Sequence, residues 1–87
     1  MQIKMAHLRD QGISFAVFAA DATSHTDRER SEVLIDLTMR ARAAGLRVDK
    51  AALAYEQNGR TMFYGVPDLV RYLQVAGVPR WTHTLDT

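Results

Sequence analysis

The order of apolar and polar positions divides this chain into short elements of both kinds. Ile13-Ser-Phe-Ala-Val-Phe-Ala-Ala20 is rich in β-branched and aromatic residues and follows the turn signal Asp10-Gln-Gly12, which predicts a strand. Its apolar side chains fall on both parities, Ile13, Phe15 and Val17 against Ala16 and Phe18, so this strand is expected to be central and covered on both sides. Thr26-Asp-Arg-Glu29 matches a capping box and predicts the start of a helix that Gly45 ends. At about 100° per residue, Val33, Leu34, Leu37, Ala41 and Ala44 gather on its core side. Asp27 and Glu29 suit the positive end of its dipole, and Arg40 and Arg42 the negative end. On roughly the opposite side Ile35, Met39 and Ala43 make a small second stripe, which fits either ordinary surface apolarity or a partner-binding ridge.

Two apolar runs then flank Asn58-Gly59, the first over residues 46–57 and the second in Arg60-Thr-Met-Phe-Tyr64. Asn-Gly in that position predicts an antiparallel hairpin, because both central residues of a type I′ turn need positive φ. Pro67 and Asp68 open a second helix with Leu69, Tyr72, Leu73 and Ala76 on its apolar side, and Gly77 and Pro79 end it. Arg80-Trp-Thr-His-Thr-Leu85 alternates as an edge strand does. Ile3 and Met5 allow an extra N-terminal edge strand paired with the first.

The order βαββαβ predicts an α+β fold of the ferredoxin-like kind, a two-layer sandwich with both helices on one face of an antiparallel sheet. Eighty-seven residues make a single domain, 1–87, with 1–12 an extension or extra strand. In two layers the second sheet face is open to water, yet both parities of the strands are apolar. Phe18, Met62 and Tyr64 are assigned to that open face, and a homodimer packed sheet on sheet or by edge-strand extension is expected to cover it.

Composition narrows the function classes. Hydrophobic residues make up 47% and charged residues 24%, which suits a globular domain and leaves no run apolar enough for a membrane span. Without cysteine there is neither a disulfide nor a thiolate metal site. The first twelve residues hold Lys4, His7, Arg9 and Asp10 and no signal-peptide-like apolar core, so a cytoplasmic location is expected. The net charge of +1 does not indicate nucleic acid; a binder would have to gather Arg40, Arg42, Arg47, Arg60, Arg71 and Arg80 on one face.

Among residues with chemistry, Asp21, His25 and Asp27 have metal-ligand types and lie where a strand runs into a helix. The same residues, with Ser24 and Thr26, also fit turn and cap roles. Arg60, Tyr64, Trp81 and His83 supply cations and aromatic faces suited to stacking on a base or small ligand, and equally to strand packing. The glycines all fall at element boundaries, which leaves no phosphate-cradling loop. A hydrophobic strand ending in Ala20-Asp21, in a chain of this length and order, resembles the small ferredoxin-like subunit of CRISPR adaptation complexes. That family has Tyr-Asp at this place, and the resemblance implies a metal-dependent nuclease centred on Asp21. From the residues themselves, the expectation is a non-enzymatic dimeric binding or regulatory module with no cofactor and a protein partner, the alternatives being that nuclease or a nucleic-acid binder using a local Arg and aromatic surface.

Overall fold

A computed structural model describes residues 2–22, 25–76 and 80–86, so the helix-ending roles assigned to Gly77 and Pro79 and the turn role of Ser24 lie outside the described residues. The elements are β1 (Gln2–Asp10), β2 (Ile13–Ala19), α1 (Asp27–Ala43), β3 (Lys50–Gln57), β4 (Arg60–Gly65), α2 (Pro67–Ala76) and β5 (His83–Asp86). The expected boundaries are kept closely for β2, α1, β4 and α2, and both reciprocal bonds of the capping box form between Thr26 and Glu29. Asn58 at φ 53 and Gly59 at φ 75 turn β3 into β4.

The five strands form one mixed sheet in the order β4-β3-β2-β1-β5. The four-stranded antiparallel sheet expected from the sequence is corrected by one pairing: β3 lies directly beside β2 and parallel to it, Phe15 opposite Lys50 through Ala19 opposite Ala54. No strand is inserted between them, so the split βαβ of a ferredoxin-like sheet is not formed. The reason lies in burial. Ala51, Ala52, Leu53, Ala54 and Tyr55 are all buried, which suits β3 to an interior place, whereas β4 exposes Arg60 and Met62 and takes the edge. β1 is interior too, between β2 and β5 and antiparallel to both, and is therefore no edge strand.

The larger correction concerns the faces of the sheet. One face carries Met5, Phe18, Ala51 and Leu53, which form a core with Leu37 and Ala41 of α1. The other carries Ala6, Val17, Ala52 and Ala54, which form a second core with Leu69 and Leu73 of α2. The helices thus cover opposite faces, in three layers. The two-sided apolarity of β2 and β3 is satisfied within one chain, and Phe18, expected on an open face, is fully buried under α1. Alanines fill much of the second face, so the short α2 can approach the sheet closely. Among the described residues no helix is long and apolar enough to cross a membrane.

Candidate functional site

β2 and β3 run parallel; β2 ends at Ala19, opposite Ala54, and β3 continues past it to Gln57. A groove of about 530 Å³ opens there. Its floor is Ala19 and Ala54, which lie opposite each other in register; their methyl groups leave the space that larger residues would fill. One step beyond the Met5–Phe18 pair, Lys4 of β1 flanks the floor. Asp21, Glu56 and Thr61 form the outer rim and Trp81 a half-buried aromatic wall. The Thr61 hydroxyl donates to Glu56 Oε1 at 2.7 Å. The side chains of Lys4 and Asp21 are exposed and engage in no hydrogen bond or ion pair among the described residues.

Asp21 also borders a second cleft, of about 560 Å³, along the flank of α1, with His25, Glu29, Glu32 and Asp36. Asp21 and His25 therefore line one cleft, whereas Asp27 pairs with Arg30, its Oδ1 3.0 Å from the guanidinium. Among the described residues no three His, Asp or Glu side chains converge on a point that could hold one ion. His25 Nδ1 is buried without a hydrogen-bond partner, while its backbone N–H donates to the Ala22 carbonyl at 3.2 Å. Glu29 is committed to the helix cap: the amide and hydroxyl of Thr26 hold its carboxyl below the usual glutamate range, with His25 and Arg30 adding a smaller electrostatic contribution.

Arg30 is a residue that the sequence pattern did not single out. Its Nε donates to the Ala22 carbonyl at 3.0 Å and its guanidinium carbon lies 4.6 Å from the centre of the Tyr55 ring, which fastens the start of α1 to β3. Lys4 and Glu56 were likewise missed. They sit on β1 and β3, far apart in sequence, and only the register brings them to one groove.

The four residues picked out for stacking are not gathered in one place. Arg60 and Tyr64 lie on β4 at one edge; Trp81 packs on the α2 face; His83 lies on β5 at the far edge. His83 instead meets His7, with ring centres 5.8 Å apart and edges to faces. Thr82 Oγ1 accepts from the His7 amide at 3.2 Å and lies 2.8 Å from His83 Nδ1. His7 Nε2 donates to the Arg47 carbonyl at 2.9 Å, since a carbonyl can only accept. The six arginines named for nucleic acid are divided as well. Arg40 pairs with Asp36, Arg42 donates to the Val48 carbonyl, Arg47 pairs with Asp49, and Arg71 sits on α2, across the sheet from α1.

Comparison of the chain with protein-family models, with curated proteins and with solved structures returns no match.

Proposed function

We propose that this chain is a non-enzymatic interaction module that works as a two-fold dimer joined through β4. One observation carries the reading: the free strand edge coincides with the main exposed apolar patch. Of the six large hydrophobic side chains exposed among the described residues, Ile35, Met39, Met62 and Val66 lie on α1, on β4 or just after it. Ile35, Met39 and Val66 line one shallow cleft beside that edge, and Met62, 37% exposed, faces the same side of the sheet.

An edge strand leaves a row of backbone donors and acceptors unpaired, and proteins usually blunt such edges. β5, at the other edge, is only four residues long. β4 is six residues long and contains neither proline nor lysine. A second copy fits it because the strand is self-complementary. In an antiparallel pairing about a two-fold axis at Met62, side chains on the same face oppose each other, and Arg60 of each copy comes opposite Tyr64 of the other. That contact joins a guanidinium to an aromatic face twice over, and Met62 meets itself at the centre.

Light scattering at micromolar concentration tests the reading. The parent should run as a dimer, and Met62→Lys and Ile35→Glu as folded monomers with an unchanged circular-dichroism spectrum. A monomeric parent sinks it.

A further inference from the structure

We infer that the groove at the carboxyl ends of β2 and β3 binds a small zwitterion with a flat ring, of the aromatic amino-acid class. The inference stands apart from the β4 dimer, because the groove opens on the α2 face and the apolar patch on the α1 face.

The charges are arranged in two rows. Across the floor, Lys4 flanks the Ala19–Ala54 pair; Glu56 lies two residues further along β3 on the same face, and Asp21 lies two residues past the end of β2, on the rim. Cation and carboxylates are thus separated by about one residue pair along the strands and by one or two strand spacings across them, on the order of 7–12 Å between backbones. A ligand with an ammonium at one end of its polar group and a carboxylate at the other meets a complementary charge at each. A purely cationic or purely anionic ligand places one charged site against nothing, and desolvates it without return. The alanine floor admits a flat body and Trp81 offers it an aromatic wall. Lys4 and Asp21, which face into the groove without a partner among the described residues, are available for this contact.

Trp81 is the only tryptophan in the chain, so its fluorescence reports the groove directly. The test is a titration of the whole chain with three probes sharing one ring: phenylalanine, phenethylamine and 3-phenylpropionate, with calorimetry as a second readout. Phenylalanine should bind about tenfold more tightly than either singly charged probe, the gain expected of one charge-assisted contact. Lys4→Met should lower phenylalanine to the level of phenethylamine, and Asp21→Asn to that of 3-phenylpropionate. Both side chains are exposed and unbonded, so the melting temperature of both variants should match that of the parent. Equal affinity for the three probes, no binding of any, or unchanged discrimination in Lys4→Met and Asp21→Asn overturns the inference.

Discussion

Ser14 and Asp49 hold each other by two hydrogen bonds: the Ser14 amide donates to Asp49 Oδ2 at 2.9 Å, and the Asp49 amide donates to the Ser14 carbonyl at 2.9 Å. Ser14 is buried at the start of β2, and Asp49 is the residue just before β3. The clasp therefore sets the register of the one parallel pairing in the sheet. Parallel strands cannot be joined by a tight turn that would fix it, and the return from α1 leaves the chain free to slide without such a contact.

The clasp makes stability depend on acid. The Ser14 amide, with Arg47 beside it, holds the Asp49 carboxyl below its ordinary value of 3.8. A group with a depressed folded pKa takes up a proton less readily folded than unfolded. Its contribution is complete above the ordinary aspartate value and is lost as pH falls through the depressed one. Asp49→Asn should therefore melt below the parent at about pH 7, and the difference should close as the pH is taken down towards about 3. Thermal melts of both proteins across that range check it; a difference independent of pH would show that the carboxylate's charge is not what the clasp uses.

Thr26→Ala removes both side-chain bonds of the Thr26 hydroxyl at the start of α1, its acceptance from the Glu29 amide at 3.2 Å and its donation to the Glu29 carboxylate at 3.0 Å. Loss of a Thr cap costs about 1 kcal/mol. In a domain this size the melting temperature should drop by about 4–8 °C, and Thr26→Ser should recover most of it. The comparison by thermal circular dichroism isolates the cap from any effect of residue size.

Two glycines should respond differently to alanine. At Gly59 the obstacle is the turn conformation, φ +75, with open space around the missing side chain, and the cost is on the order of 1 kcal/mol. At Gly65 an added Cβ would lie 2.6 Å from the Ala51 carbonyl oxygen and 2.8 Å from the Ala52 Cα. Those are backbone atoms of the neighbouring strand and cannot swing aside. Gly65→Ala should cost about 1–3 kcal/mol through overpacking alone, and chemical denaturation of the two variants should rank it well below Gly59→Ala.

What the sequence disclosed was local. The capping box, the Asn58-Gly59 hairpin and the Pro67 helix start are all decided by neighbours within four residues, and each stands where its pattern placed it. Strand order is not local. That β3 pairs with β2, and that β1 lies inside the sheet, follows from which strands are buried on both faces; the alanines of β3 carried too weak a hydrophobic signal to mark it as interior. The same limit hid the groove, whose Lys4, Asp21 and Glu56 are separated in sequence and share only a register.

Leu73→Ala tests the three-layer arrangement itself. The two-sided apolarity of β2 was legible, and the open question was what covers the second face. Leu73 is 1% exposed and packs with Val17, Ala52 and Ala54 on the face opposite α1. If α2 is that cover, truncating Leu73 opens a cavity over the sheet and should cost about 2–5 kcal/mol. Val75, on the same helix and 86% exposed, should tolerate alanine to within about 0.5 kcal/mol. Because the cover belongs to the same chain, the loss in Leu73→Ala should not vary with protein concentration. In the Met62→Lys background, where the β4 contact is broken, a face covered by a second copy would still give a melting temperature that rises with concentration and a Leu73→Ala deficit that changes with it. Melts of Met62→Lys with and without Leu73→Ala over a range of concentrations therefore separate a cover supplied by α2 from one supplied in trans.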